Sequence, residues 1–364
     1  MNHQLNILPF EQWCNNGQQP LFISGPCSAE SLEQVMATAK AIDALGKVKV
    51  FRAGIWKPRT RPNAFEGQGE EGLKWLQQVQ QETSLKTAVE VASPAHVELC
   101  LKYGVDMLWL GARTVVNPFS VQEIADSLVG VDIPVMVKNP INPDLALWIG
   151  ALERINQAGI TRLMAIHRGF DFLKRSPFRN APMWELPIEL KRLIPELPII
   201  VDPSHIAGKR ELIFDISQKA LDLDMNGLMI ETHINPMVAL TDAAQQLFPD
   251  MLKELLDKLV VRRQRGNYDF QHKLEELRSE IDKLDAVLID TLSQRFKVVD
   301  EIGHYKYENN ISIFQLKRWS NILHDRVEQG EAQGLDADFL LKMLQLVHKE
   351  SIARQDKIYH KEEE

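Results

Sequence analysis

Four residues of this 364-residue chain carry the chemistry of a divalent-metal site: the thiol of Cys27, the imidazole of His205, and the carboxylates of Glu231 and Asp242. A mixed thiolate, imidazole and carboxylate set suits Mn, Fe, Co or Zn, and an open coordination position would supply a Lewis acid. Each residue alone has an ordinary structural explanation, because cysteine is often core and a histidine beside a strand is often simply hydrogen-bonded. A second set is cationic: Arg52, Lys57, Arg59, Arg113, Lys138 and Arg168. Arginine forks clasp phosphate or carboxylate in a bidentate way, while lysine acts as a point charge. Six cations gathered in one place would repel unless anions sat among them. The ligands expected are therefore phosphorylated or carboxylated small molecules.

What would gather these residues is a repeated local pattern. Ile199-Ile200-Val201 runs into Asp202-Pro203-Ser204-His205, an apolar β-branched run ending abruptly in polar groups. The same pattern occurs seven more times. Leu21–Ile23 leads to Cys27, Val48–Phe51 to Arg52 and Lys57, and Ala88–Val91 encloses Glu90. Met107–Leu110 leads to Arg113, Val135–Val137 to Lys138, Leu163–Ile166 to His167-Arg168, and Leu228–Ile230 to Glu231. Eight buried strands separated by amphipathic stretches are the sequence form of a (β/α)8 TIM barrel, whose strand C-termini share one mouth. An open doubly wound sheet fits the same alternation, but eight such strands recurring in succession favour the barrel.

The helical period predicts helices near 31–45, 69–82, 94–103, 119–129, 144–158, 184–194, 209–220 and 237–261. Ser93-Pro94, Asn117-Pro118 and Asn142-Pro143 are start signals, a capping residue before a first-turn proline. Residues 1–20 are expected to form an irregular or hairpin lead-in.

The character changes after residue 262, so the expected division is a barrel over 1–262, a linker over 263–269 and an all-helical domain over 270–364. Leu274, Leu277, Ile281, Leu284, Leu288, Leu292, Phe296, Val299 and Ile302 step by three or four, the mark of one long amphipathic helix. Helices near 312–329 and 336–359 follow. A helix over 269–307 spans about 57 Å, too long a stripe for two shorter helices to cover, so an intertwined helical homodimer is expected. Arg295 and Lys306 are almost three whole turns apart and share a face beside the stripe, and Ser351 and Gln355 share another. Arg278 lies some 25 Å along the helix from Arg295, within reach of a partner's site rather than its own.

Composition bounds the rest. Net charge is −8, which argues against nucleic-acid binding through phosphate neutralisation. Three cysteines, 45% hydrophobic and 25% charged residues fit a soluble protein of a reducing compartment, without a disulfide framework. With no basic, apolar leader at the N-terminus and no membrane-length apolar run, a cytoplasmic location is expected.

The barrel motifs Gly25-Pro26-Cys27-Ser28, Arg52-Ala53-Gly54 with Lys57-Pro58-Arg59-Thr60, Gly111-Ala112-Arg113, Lys138, His167-Arg168-Gly169, Asp202-Pro203-Ser204-His205 and Glu231-Thr232-His233 resemble 3-deoxy-D-arabino-heptulosonate 7-phosphate (DAHP) synthase, closest to its type I-beta branch. The resemblance covers about residues 5–260. It implies condensation of phosphoenolpyruvate with erythrose 4-phosphate, in the shikimate pathway, to DAHP and phosphate. By resemblance Cys27, His205, Glu231 and Asp242 ligate the metal, and Arg113, Lys138 and Arg168, with Arg52 and Lys57, hold phosphoenolpyruvate. Lys57, Pro58, Arg59 and Thr60 hold the sugar phosphate, with Asp202 beside them, and Lys57 can also donate a proton. The sister family that makes the eight-carbon sugar acid phosphate has a Lys-Ala-Asn-Arg-Ser type run at the sugar loop instead.

Residues 270–360 resemble the all-helical AroQ-class chorismate mutases through Leu277-Arg278-Ser279-Glu280-Ile281, Leu284-Asp285, Arg295, Gly303, Lys306, Arg318, Ser351 and Gln355. The resemblance implies a unimolecular rearrangement of chorismate to prephenate, driven by preorganised cations. Lys306 and Arg295 would contact the ether oxygen and a carboxylate, and Arg318 with a partner's Arg278 would clamp carboxylates. Gln355 would assist at the ether. Two positions depart from the family pattern. Gln315 stands where an acidic residue is common, and Trp319 stands where a glutamate contacts the substrate hydroxyl. The alternative is a helical tail that is catalytically weak and serves as a dimerisation and regulatory module. In either case feedback on the barrel by prephenate or chorismate is expected.

Overall fold

The computed structural model describes residues 5–14, 20–57, 65–172, 176–262 and 268–362. It falls into two compact units, Met1–Gln264 and Arg265–Glu364. In the first, eight parallel strands close into a barrel in sequence order. They are β1 (Leu21–Gly25), β2 (Val50–Ala53), β3 (Lys86–Val91), β4 (Met107–Leu110), β5 (Val135–Lys138), β6 (Leu163–His167), β7 (Ile199–Val201) and β8 (Gly227–Glu231). Closure pairs β8 with β1, and the register sets Gly25 opposite Glu231.

Side chains alternate between the two faces of each strand, and the core is double as a result. Leu21, Ile23, Val50, Ala88, Met107, Trp109, Met136, Met164, Ile166, Ile200 and Met229 fill the barrel interior. Their neighbours, among them Phe51, Val89, Leu108, Val137, Ala165 and Val201, pack outward against the helices. Gly25 makes room for close strand approach. Its φ is +152°, and a Cβ there would come within 2.0 Å of the Arg52 carbonyl oxygen.

The expected helices are present, with two adjustments. Ser93 and Asn117 cap Pro94–Lys102 and Pro118–Ser127 as their sequences predict. The helix Leu145–Gln157, however, is capped by Asp144, whose side chain accepts from the Leu147 amide, rather than by Asn142. The span 237–261 is not one helix. A single 3-10 turn, Pro236–Val238, is followed by a loop and then the helix Pro249–Lys258. Two prolines bracket this loop, and Asp242 within it adopts φ +46°, a left-handed conformation that a helix excludes. The lead-in contains a one-turn helix, Phe10–Trp13, that delivers Phe10 to the barrel interior.

The second unit holds helices Tyr268–Glu308, Leu316–Glu331 and Ala337–Glu362. Gly303 lets the first and third approach closely, since a Cβ there would meet Ile358 Cδ1 at 2.8 Å and Gln355 Cγ at 3.1 Å. Val299 and Leu340 are buried, but Leu277, Ile281, Leu284 and Leu288 leave the N-terminal half of the apolar stripe exposed. No helix among the described residues is long and apolar enough to cross a membrane.

Candidate active sites

Period-two alternation also builds the barrel mouth. Counting two residues on from the interior positions Val50, Ala88, Met136, Ile166, Ile200 and Met229 reaches Arg52, Glu90, Lys138, Arg168, Asp202 and Glu231. Each therefore projects toward the barrel axis, above the last apolar layer. A cavity of about 370 Å³ opens there, lined by Cys27, Lys57, Glu90, Arg113, Lys138, Arg168, Arg179, Asn180, His205 and Asp242. A cavity of about 620 Å³ opens at the N-terminal end, the face that in barrels serves stability rather than chemistry.

Cys27, Glu231 and Asp242 each offer a ligand atom within 4.8 Å of the others. His205 stands at their edge, with Nε2 3.8 Å from Glu231 Oε1. Its Nδ1 lies 2.8 Å from Asp202 Oδ2, and a carboxylate on one ring nitrogen fixes the other for a metal. His205 occupies the short helix Pro203–Ala207, which Asp202 caps by accepting from the His205 amide. A thiol, an imidazole and two carboxylates converging at a buried mouth fit a borderline divalent ion.

The charges are strongly coupled. Burial, reinforced by Glu231, pushes the Cys27 thiol up to about 12. Lys57 Nζ sits 3.2 Å from the sulfur, and the thiol lies 3.6 Å from Asp242 Oδ2. Burial also opposes ionisation of Asp242, but His205 and Arg179 outweigh it and hold that carboxyl down at about 2. Asp202 and Glu231 are fully buried. His205 with Lys138 holds Asp202 well below the usual carboxylate range, and His205 with Arg52 lowers Glu231.

The cations divide into two levels. Arg52 is 1% exposed, donates to Glu231 Oε1 at 2.8 Å and to the Cys27 carbonyl at 3.2 Å, and lies 5.0 Å over the Trp109 ring. It sits beneath the cavity and braces a candidate ligand. Lys138 pairs with Asp202 at 2.9 Å and also lines the cavity. Arg113 is exposed at the cavity wall, on the short helix Ala112–Val115 that follows β4. Burial above all, with Arg179 and Arg113 adding to it against Asp202, brings Arg168 down to about 10, as desolvation disfavours a charged group. Pro58, Arg59 and Thr60 lie outside the described residues.

Other rim groups serve elsewhere. His167, on the outward face of β6, is enclosed by Trp148, Phe170 and Trp184. His233 Nδ1 accepts from the Asn235 amide, and its Nε2 lies 3.7 Å from Glu30.

Several residues that sequence reasoning missed hold the ring together. Gln245 Nε2 donates to Glu231 Oε2 at 2.6 Å, and Gln246 Oε1 accepts from the Cys27 amide at 2.8 Å. Arg179 Nη1 reaches Asp242 Oδ1 at 3.0 Å and Gln245 Oε1 at 2.7 Å. Asn139 Oδ1 accepts from the Arg168 amide, and Asn180 joins Arg168 to the His205 backbone. All lie in loops, where no periodic pattern marks them.

In the second unit Arg295 Nη1 donates to Ser351 Oγ at 2.9 Å, and Lys306 Nζ donates to the Ile313 carbonyl at 2.5 Å. Burial lowers both cations. Ser351 and Gln355 are buried, and Gln355 Oε1 has no hydrogen-bond partner among the described residues. Arg318 is exposed, and Arg278 is exposed with Glu275 3.8 Å away. Arg295, Lys306, Ser351 and Gln355 are thus brought together, whereas Arg278 is far along the first helix.

A family model described as DAHP synthetase I family matches residues 11–265, and one described as chorismate mutase type II matches residues 277–356. The phospho-2-dehydro-3-deoxyheptonate aldolase of Thermotoga maritima is 32% identical over 237 residues, covering 65% of this chain and 68% of its own. The 2-dehydro-3-deoxyphosphooctonate aldolase of Syntrophotalea carbinolica is 26% identical, over 67% of this chain and 91% of its own. The T-protein of Haemophilus influenzae is 32% identical over 87 residues, 24% of this chain and 23% of its own. A crystal structure of the Thermotoga maritima DAHP synthase superposes with a TM-score of 0.59 at 30% identity, over 65% of this chain and 67% of that one.

Proposed function

The chain belongs to the DAHP synthetase I family and carries a type II chorismate mutase domain after the barrel, and from that premise we propose that the barrel joins phosphoenolpyruvate to erythrose 4-phosphate in a metal-dependent condensation, releasing DAHP and phosphate. The observation that supports this most is the convergence of Cys27, Glu231 and Asp242, with His205 at their edge, on a mouth rimmed by Lys57, Arg113, Lys138 and Arg168. A divalent ion held there, Mn, Fe, Co or Zn, would supply Lewis acidity to the aldehyde. Arg113, Lys138 and Arg168 bind the phosphate and carboxylate of phosphoenolpyruvate. Lys57 keeps a proton beside the reacting oxygen, and Asp202 orients Lys138 and His205 from below. Arg52 acts through Glu231 rather than by touching substrate.

The helical unit rearranges chorismate to prephenate, with Arg295, Lys306 and Gln355 around the ether and carboxylates and Arg318 on a carboxylate. A second copy covers the exposed stripe Leu277, Ile281, Leu284 and Leu288 and brings its Arg278 to this site. Prephenate bound to this unit slows the barrel by favouring one arrangement of the chain over another. The described cysteines are free thiols, in keeping with a cytoplasmic location.

The test is an assay of the metal-stripped full-length chain. Phosphoenolpyruvate is expected to be consumed only after metal is restored, and with erythrose 4-phosphate. A preference for arabinose 5-phosphate would overturn the assignment.

A further inference from the structure

His348 lies on Ala337–Glu362, three residues before Ser351 and seven before Gln355, on the same helical face. Its ring stacks on Trp319 with centroids 3.8 Å apart and planes 7° from parallel, and Phe314 closes one side at 6.0 Å. The Nε2 atom is buried and has no hydrogen-bond partner among the described residues. Buried polar nitrogens are nearly always satisfied, so this one points to a ligand. Burial, Arg295 and Lys306 hold the imidazole below its ordinary range, which leaves it neutral at pH 7.

The neighbours divide the chemistry. Arg295 and Lys306 are charged donors suited to carboxylate and ether oxygens. A third cation beside them would be repelled, but a neutral imidazole can both donate to and accept from a hydroxyl. Chorismate offers one such group, its ring hydroxyl. We infer that His348, locked flat against Trp319, is the substrate-contacting residue that hydrogen-bonds the ring hydroxyl of the mutase substrate, Trp319 standing where the mutase resemblance implies an acidic side chain. The indole fills that acidic position and fixes the imidazole plane, so Trp319 acts as a positioning residue and His348 as the contact. This rests on the mutase reading of the helical unit.

The experiment is calorimetric binding to the full-length chain of two inhibitors. One is an oxabicyclic diacid bearing the hydroxyl; the other is the same diacid without it. His348→Leu is expected to weaken the hydroxylated diacid about tenfold, the worth of one hydrogen bond to a neutral group, and to leave the deoxy diacid unchanged. His348→Gln, which keeps a donor and an acceptor, is expected to recover most of that loss. Equal weakening of both diacids, or no weakening of either, would overturn the inference while leaving the mutase reading intact. Failure of the unaltered chain to bind the hydroxylated diacid would remove the mutase reading itself, and the inference with it.

Discussion

Arg168 Nη1 donates to Asn180 Oδ1 across 2.7 Å, and the same amide donates through Nδ2 to the His205 carbonyl at 2.6 Å. One buried side chain therefore fixes both a candidate anion-binding cation and the short helix that carries a candidate metal ligand. Asn180→Ala is expected to lower kcat/KM for phosphoenolpyruvate roughly ten- to a hundredfold, since small displacements of positioned groups cost that much. Steady-state kinetics check this, and unchanged kinetics would show that the two groups are positioned independently.

Asp202 contacts His205 Nδ1 and Lys138 Nζ through a fully buried carboxylate. Asp202→Asn keeps the shape and removes the charge that orients the imidazole. Metal affinity is expected to fall about ten- to a hundredfold, as for other outer-shell carboxylates. Calorimetric titration of the stripped protein with Mn²⁺ measures it, and an unaltered affinity would refute the orienting role.

Burial brings His167 down to about 3, whereas in the unfolded chain it would titrate near 6.5. The folded state favours the neutral ring. The stability this contributes is therefore fully present above about pH 6.5 and is lost as the pH falls toward 3, at up to about 1.4 kcal/mol per unit. Urea unfolding of the unaltered chain and of His167→Gln across that window measures the difference. The variant should show the shallower loss, and identical pH profiles would contradict the assignment.

Leu284 is 68% exposed in a single copy, in the middle of a stripe with no cover among the described residues of its own chain. Leu284→Glu is expected to shift sedimentation from dimer to monomer and to reduce mutase turnover at least tenfold, because Arg278 would no longer reach a partner's site. A monomeric variant with full turnover would show that Arg278 is dispensable.

How much of this was legible in the sequence follows from periodicity. Buried parallel strands are apolar on both faces, so β1 to β8 stand out, and the polar residue after each is conspicuous. The depth of each residue was the harder reading. Spacing alone groups Arg52 with the cavity cations, yet its guanidinium is buried beneath the cavity and paired with Glu231. Its place after a strand puts His167 on the rim, but the same alternation turns it outward into an aromatic box. Loop residues carry no period. Arg179, Asn180 and Gln245 left no signal, and the apolar residues Met237, Val238 and Leu240 imitated a helix where Asp242 needs a left-handed turn.

One divalent ion is expected to sit among Cys27, His205, Glu231 and Asp242. Anomalous scattering from crystals of the full-length chain soaked in Mn²⁺ tests it most directly. A single barrel peak is expected within about 2.0–2.6 Å of the Cys27 sulfur, His205 Nε2 and a carboxylate oxygen of Glu231 and of Asp242, with Lys57 Nζ withdrawn from the sulfur. A peak on other residues, or none in protein that consumes phosphoenolpyruvate under the same conditions, would contradict it.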